Sequence, residues 1–370
     1  MSPSARSVAL IVTPRFPPLL GGMERECALL ARQFGQMGYR PVVLTEDLGQ
    51  GLPEREELDG VLVIRVSSSP QRSAAVQLRV AARMARVMIS LRGQAAFAIV
   101  RTFTLPALVS GLLRRLHLVD YPTLVTAETG GLEDDIVALE NRPGAGAMKW
   151  LVTGNDLLNG LCQANIDHLR QFGYPAARVT MIPNGIETGS WAQTSPPARV
   201  ERFLFLGRIE ESKGIFELVE ALAKLRGQGR SPKLLVAGAG PGEQEMKRRV
   251  ADAGLDDSVE FAGLVPHEEI DRIFAQADCL VLPSWSEGMP LSVLEAAARH
   301  RALILSDVGD MGRLFGDKAW VFPPRDVEAL AGCLAAAMDD PEPKADYGEV
   351  IGQVSIETVA GRLASELAGA

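Results

Sequence analysis

The chain is poor in the residues that build metal centres and disulfide frameworks, with only four cysteines and four histidines among 370 residues. Cys27, Cys162, Cys279 and Cys333 are scattered and make no C-x-x-C pair. That argues against a disulfide scaffold or a zinc knuckle, and free thiols suit a reducing cytoplasm. His267-Glu268-Glu269 opens like a zinc-protease helix, but Asp271 stands where the second histidine is required. Long apolar runs are missing as well. The most apolar region, Phe97 to Leu116, is broken by Arg101, Pro106, Arg114 and Arg115, and nothing approaches the ~20 residues that span a bilayer. The first apolar run, Val8 to Thr13, ends at Pro14 with no small-residue cleavage site behind it, so a signal peptide is not expected. No dense basic patch is interleaved with aromatics, which make up 5% of the chain, and this speaks against nucleic-acid binding. No G-x-x-x-x-G-K-[ST] phosphate loop is present.

What the sequence does hold is enough apolar material for two cores. A length of 370 residues with 47% hydrophobic and 23% charged residues fits a globular protein of two domains. The net charge of −8 is uneven. Residues 1–180 carry 19 Lys/Arg against 16 Asp/Glu, and the remainder 19 against 30, as if the halves faced different partners. Short β-rich runs alternate with helical patterns. Val8–Thr13, Pro41–Thr45, Phe97–Val100 and Thr123–Thr126 read as buried strands in the first half, with a helix over about 23–37 between the first two. Arg202–Leu206, Lys233–Ala237, Val259–Phe261, Cys279–Leu282 and Ala302–Leu305 repeat the theme. Strands alternating with helices predict an α/β fold of two Rossmann-like, doubly wound domains. The Pro/Ser-containing stretch 187–200 is the linker candidate, giving domains 1–186 and 201–354. A last helix, within 355–370, is expected to pack back on the first domain. Two such domains would face each other across a cleft lined by the carboxyl ends of their strands, where open α/β sheets bind ligands.

Three segments carry candidate chemistry. In Pro283-Ser284-Trp285-Ser286-Glu287-Gly288-Met289-Pro290-Leu291-Ser292-Val293-Leu294-Glu295, a buried strand empties into a polar loop and a helix starts near Pro290. Free amides at that start suit a phosphate, and Glu287 and Glu295 suit the two ends of one nucleotide-sugar. The plain alternative is an N-capping acid and a surface glutamate. In Leu206-Gly207-Arg208-Ile209-Glu210-Glu211-Ser212-Lys213-Gly214, two cations leave the end of a strand, as a diphosphate and a departing nucleoside diphosphate require. The alternative is a solvated basic loop. Near the start, Gly21-Gly22 follow the first strand and precede a helix, a place where amides approach a phosphate closely, or an ordinary turn. Gly238-Ala239-Gly240-Pro241-Gly242 fails the dinucleotide fingerprint, with Glu243 where the third glycine of one register would fall, and reads as a plain βα turn.

Taken in order, these pieces resemble the retaining glycosyltransferases of family four, which have the GT-B fold. The resemblance runs through the N-terminal P-x-x-G-G-x-E segment, Ile182-Pro183-Asn184-Gly185-Ile186-Glu187, Gly207-Arg208 with Lys213-Gly214, Phe261-Ala262-Gly263-Leu264-Val265, and the Glu287-x7-Glu295 string. It implies that Arg208 and Lys213 hold the donor diphosphate, Glu295 the ribose and Glu287 the transferred sugar. It also implies that Gly288, Met289, Pro290 and Leu291 contact sugar and phosphate. By the same resemblance Leu264 would lie in the turn against the base, and Gly21 and Gly22 would cover the phosphates from the other domain. Metal-independent hexosyl transfer with retention follows, with UDP or GDP as the expected carrier and no resident cofactor. The acceptor would belong to a polysaccharide, glycolipid or glycoconjugate of the cell surface. Two departures stand out. Ala127-Glu128-Thr129-Gly130-Gly131 replaces a segment that often holds a histidine, which makes Glu128 the catalytic candidate there, beside an acidic run Glu133-Asp134-Asp135 that also reads as a solvated loop. Ser306-Asp307-Val308-Gly309-Asp310-Met311-Gly312 replaces a Gly-Gly-x-Pro-Glu pattern, which puts backbone contacts to the donor in this loop in question. An epimerase acting on the nucleotide-sugar and a non-catalytic sugar-nucleotide-binding partner are the competing readings.

Residues 74–92 read as an amphipathic helix. Val76, Val80, Met84, Val87, Met88 and Leu91 share one face, and Arg79, Arg83 and Arg86 form a neighbouring stripe, with Arg72 and Arg92 flanking. That makes the 74–92 helix a candidate contact with the inner face of the cell membrane for a lipid-linked acceptor, the alternative being a domain helix with its apolar face in the core.

Overall fold

The computed structural model describes residues 7–19, 21–68, 73–130, 134–188 and 195–370. Arg72, Gly131, Glu133 and the linker positions 189–194 lie outside the described residues. The chain divides into two compact units, Met1–Gly185 with Ser355–Ala370, and Ile186–Val354. The stretch 187–200 belongs to the second, and the Ile186 amide donates to the Val354 carbonyl at 2.9 Å, so the unit begins and ends at one place.

The first unit runs β1 (Val8–Val12), α1 (Gly22–Gln36), β2 (Arg40–Glu46), β3 (Arg55–Leu58), β4 (Val61–Val66), α2 (Ala74–Ser90), β5 (Ala95–Arg101), α3 (Leu105–Arg115), β6 (Thr123–Thr126), α4 (Asp135–Glu140), α5 (Ala145–Val152), β7 (Leu157–Gly160), α6 (Gln163–Gln171) and β8 (Val179–Met181). Its sheet has the order β3-β4-β2-β1-β5-β6-β7-β8. All pairs are parallel except β3 with β4. Side chains alternate across each strand, so the sheet has two separate cores. Leu10, Val12, Val42, Leu44 and Val100 face a layer of α2, α3 and α5, while Ile11, Val43, Phe97, Ile99 and Leu124 face α1 and the last helix of the chain.

The second unit runs β9 (Arg202–Leu206), α7 (Ile215–Gly227), β10 (Lys233–Ala237), α8 (Glu243–Asp252), β11 (Val259–Gly263), α9 (Ile270–Ala275), β12 (Cys279–Leu282), α10 (Leu291–Ala298), β13 (Ala302–Ser306), α11 (Met311–Phe315), β14 (Trp320–Phe322), α12 (Val327–Asp339) and α13 (Gly348–Gln353). Its sheet is wholly parallel, in the order β11-β10-β9-β12-β13-β14. Continuous apolar strands such as Phe203-Leu204-Phe205 are buried on both faces, as helices on either side of a parallel sheet require. The chain ends in α14 (Ile356–Ala368), capped by Ser355 and packed on α1 through Val359, Ala360 and Leu363.

The 74–92 reading needs one correction. α2 forms there, started by the Ser73 side chain accepting from Val76 N. Val80, Met84 and Met88 are fully enclosed in the core against the sheet, and Leu91 is nearly so. That apolar face is not available to a lipid, because covering the sheet already takes it out of water. Arg79, Arg83 and Arg86 stay exposed on the other side.

Candidate donor site

In each sheet the strand order reverses beside the first strand of the unit, between β1 and β5 in one and between β9 and β12 in the other. Loops leaving such neighbouring strands diverge and open a crevice at the carboxyl edge. In the second unit those two loops hold Lys213 and Glu287. Lys213 Nζ donates to Glu287 Oε1 at 2.7 Å, and Ser284 Oγ donates to the same oxygen at 2.7 Å. Both charged groups are largely buried, so the pair is a partly desolvated contact rather than a surface bridge.

The local fold over-determines this contact. Gly214, between the 3-10 turn at Glu211–Lys213 and α7, has φ +67°, and a Cβ there would come within 2.0 Å of the Pro283 carbonyl. Only glycine lets the loop after β9 lie against the loop after β12. Trp285 ties them further. Its amide donates to Ser212 O at 2.9 Å and its indole Nε1 to Glu217 Oε1 at 2.8 Å, while the Arg325 guanidinium stacks on its ring at 3.9 Å. Gly309, with φ +57°, lies beneath from the third side. A Cβ there would sit 2.7 Å from the carbonyls of Glu287 and Gly288. Ser306 Oγ donates to Ser284 O at 2.6 Å. The departure at 306–312 therefore keeps its packing against the motif, with Asp310 buried and ion-paired to Arg313.

Several readings are decided by this geometry. Glu287 is not an N-cap, since Pro290 holds that position of α10 in extended conformation. Glu295 is not a surface glutamate, because it sits inside α10 with 2% exposure. Met289 and Leu291 are buried beside it, with Gly288 and Pro290 in the loop and at the cap. Arg208 behaves differently from Lys213. It is 57% exposed and pairs with Glu210 at 2.9 Å, so the structure does not bring it to the Lys213–Glu287 contact. Leu264 follows β11 and is 59% exposed, an apolar side chain left open in the turn after Gly263. The 238–242 turn is the βα turn expected. Gly238 and Gly240 lie directly against the carbonyls of Gly207 and Ile209, and so fix the loop that carries Arg208.

In the first unit Gly21 and Gly22 open α1, and Glu128 follows β6. Glu128 belongs to a cluster that the sequence reading missed. Arg101, the last residue of β5, is fully buried and contacts Glu128 through two nitrogens, Nη2 donating to Oε2 at 2.8 Å. The same guanidinium pairs with Glu26 of α1 and donates to Asn184 Oδ1 at 3.0 Å. Asp135 holds the loop below by accepting from the Glu128 and Thr129 amides. Burial pushes the Glu26 carboxyl up to about 7 against the pull of Arg101, with Glu128 adding to the rise. Glu128 is also raised, by burial first, with Arg101 opposing. The missed signals were a charge closing an apolar strand at Arg101, and Glu26 standing on the helix face of Leu30 and Phe34.

Residues 192–351 match the family described as Glycosyl transferases group 1, and residues 21–185 the Glycosyl transferase 4-like domain. The glycogen synthase of Mycobacterium tuberculosis is 32% identical over 223 residues, 58% of this chain and 51% of that protein. The amylovoran biosynthesis glycosyltransferase AmsK of Erwinia amylovora is 30% identical over 194 residues, 50% of this chain and 48% of that protein. These matches span about half the length of the curated relatives. Sucrose-phosphate synthase from Thermosynechococcus elongatus has the same fold, with a TM-score of 0.79 at 19% identity over 97% of this chain and 98% of that chain. Two parallel α/β units, a Lys–Glu contact at the switch point of the second, and the two domain matches in order place the chain in the GT-B glycosyltransferases of group 1, with a family 4-like first domain.

Proposed function

We propose that the chain is a retaining, metal-independent hexosyltransferase. It moves a sugar from a nucleoside diphosphate, UDP or GDP, to an acceptor in polysaccharide, glycolipid or glycoconjugate biosynthesis at the cell surface. The observation that carries the reading is the Lys213–Glu287–Ser284 contact at the β9/β12 switch point. Lys213 supplies a partly desolvated cation for the charge that builds on the departing diphosphate. Glu287 faces the transferred sugar and Glu295 the ribose, with the amides at the start of α10 on the phosphates. Arg208, exposed and paired with Glu210, would turn from that carboxylate to the diphosphate when donor arrives. Glu128, clamped by Arg101, is the candidate group on the acceptor side. Front-face displacement, with the leaving phosphate taking the acceptor proton, gives retention. The free, mostly buried cysteines suit a reducing cytoplasm.

Thermal-shift measurements with UDP, GDP, ADP and their sugars identify the carrier. A ligand at a hundred times its Kd stabilises by about 2.7 kcal/mol. Lys213→Ala and Glu295→Ala are expected to stay folded and to lose transfer, by about 10²–10³-fold for Lys213. Full activity in folded Lys213→Ala removes the assigned role. Product analysis without acceptor separates transfer from epimerisation, which would release an altered nucleotide-sugar. Binding with neither transfer nor donor hydrolysis would make the chain a non-catalytic binder.

A further inference from the structure

The helix layer on one face of the first unit has an outer surface that core packing does not explain. α2 packs on α3 and α3 on α5, and all three bury their inner sides in the same core against the same sheet face. Their outer sides therefore form one layer. A surface helix normally turns polar residues outward. α3 does not. Its most exposed position is Leu112, followed just past its end by Leu116, which is 57% exposed, while Leu105 and Leu108 at the same spacing pack back on the core. Nine large apolar side chains are exposed among the described residues, and six of them, Leu78, Ile89, Leu112, Leu116, Leu118 and Trp150, fall on these helices or at the end of α3. On α2, Leu78 and Ile89 stand opposite the buried Val80, Met84 and Met88, in line with Arg86.

The charge on the layer has one sign. α2, α3 and α5 contain no aspartate or glutamate. Arg79, Arg83, Arg86 and Arg92 are exposed, and among the described residues no ion pair engages them. Arg115 stacks on Trp150 at 4.3 Å and donates to its carbonyl, which presents an aromatic ring with a guanidinium on its face. Carboxylates from neighbouring segments pair with two other cations of these helices, Glu140 with Lys149 of α5 and Asp156 with Arg114 of α3, and Asp120 accepts from the Gly93 amide, so the arginines of α2 and Arg92 carry the unmatched charge.

We propose that the outer surface of α2, α3 and α5 docks on an anionic lipid bilayer, with the leucines and Trp150 in the headgroup boundary and the arginines on the phosphates. Leucine with tryptophan and arginine on one helical surface is the composition of interfacial helices. A second copy of the chain is disfavoured as occupant, because a two-fold contact through this face would set arginine against arginine. No helix among the described residues is long and apolar enough to cross a membrane, so the contact is peripheral. The docking differs from the one expected for the apolar face of α2. It uses the opposite side of that helix, and the apolar contribution comes mainly from α3 and α5. It does not depend on transfer chemistry.

Flotation of the full chain with phosphatidylglycerol/phosphatidylcholine vesicles tests it. Wild type is expected to float with the anionic vesicles, less so as salt rises, and not with pure phosphatidylcholine. Arg79→Glu/Arg83→Glu/Arg86→Glu should weaken binding a hundredfold or more, at about fivefold for each arginine lost. Leu112→Ser/Leu116→Ser/Trp150→Ser should weaken it at least about tenfold at low salt, from the apolar area removed. The conservative triple change of the same three arginines to lysine should retain it. Circular dichroism and an unchanged nucleotide thermal shift certify each fold. Wild type that does not float, floats equally on neutral vesicles, or is matched by the glutamate variant overturns the proposal. So does a wild-type dimer that the serine variant dissociates. Loss of transfer with flotation intact would sink only the reading of the donor site.

Discussion

Replacing Glu26 with glutamine tests the buried cluster of the first unit through its pH dependence. Glu26 is enclosed in α1 with Arg101 on its carboxylate, and Arg101 must also serve Glu128. One guanidinium faces two carboxylates, so the cluster carries a negative charge whenever both are ionised. Burial lifts the Glu26 carboxyl from 4.5 to about 7. A raised carboxyl favours the folded state only while protonated. Its contribution is complete below the unfolded value, and it is lost as pH climbs through the window to the folded one. At about 1.4 kcal/mol per pH unit, the window between 4.5 and about 7 amounts to about 3 kcal/mol. Glutamine copies the protonated acid and still accepts from Arg101. Wild type and Glu26→Gln should therefore differ little at pH 4.5, and the variant should be more stable by about 3 kcal/mol at pH 8. Urea midpoints at half-unit pH steps measure this, with unchanged slopes showing that the change is one of stability. A constant offset between the two proteins from pH 4.5 to pH 8 would refute the assignment of that proton to Glu26.

Two further substitutions address the donor loops. Gly214→Ala places a Cβ at φ +67° and 2.0 Å from the Pro283 carbonyl, so the two loops must part. The expected loss is about 2 kcal/mol or more, roughly 4–8 °C in Tm for a domain of this size, together with loss of nucleotide-dependent stabilisation. An unchanged Tm would show that the loops do not need this approach. Trp285→Phe removes the indole bond to Glu217 and keeps an aromatic ring for Arg325. It should cost about 1 kcal/mol and raise the donor KM by loosening the loop that holds Glu287. A KM equal to wild type would remove Trp285 as an anchor of that loop.

The legible part of the fold was the part whose signal is local. β1, β6, β9, β10 and β12 are continuous apolar runs because a parallel sheet buries both faces, and each begins and ends within a residue of its reading. β3 was missed because it is an edge strand, Arg55-Glu56-Glu57-Leu58, whose charges read as a loop. Yet Asp59 and Gly60 both have positive φ, and an Asp-Gly turn before the apolar Val61–Val66 is a hairpin signal the sequence carried openly. β7, Leu157-Leu158-Asn159-Gly160, has only two apolar residues before a turn-like Asn-Gly, and β8 has three residues in all, so neither makes an apolar run. The Arg101 cluster was hidden for a different reason. Glu26, Arg101, Glu128 and Asn184 come from four separate elements, and no spacing rule relates them until the sheet order is known.

The two halves differ in how topology turns sequence into a site. In the second unit the switch point forces the loops after β9 and β12 to be neighbours, so a cation in one and a carboxylate in the other meet once the strand order is given. The motif alone then carries most of the information, and Gly214 and Gly309 supply the close approach. The loop at 306–312 shows how far that logic tolerates change. Its side chains depart from the expected pattern, but Gly309 still backs the Glu287 and Gly288 carbonyls and Ser306 still binds Ser284. What that position demands is the absence of a Cβ, which Gly309 supplies, and the Ser306 hydroxyl adds a bond to the loop it backs. In the first unit the corresponding edge is filled by a buried ionic cluster, whose worth depends on every member being present. Removing one partner leaves a buried charge that costs about 3–5 kcal/mol, so Arg101→Met should unfold the unit before it reveals anything about Glu128. Neutralising Glu26 keeps the guanidinium matched to the carboxylate that remains, and for that reason it is the change that isolates Glu128.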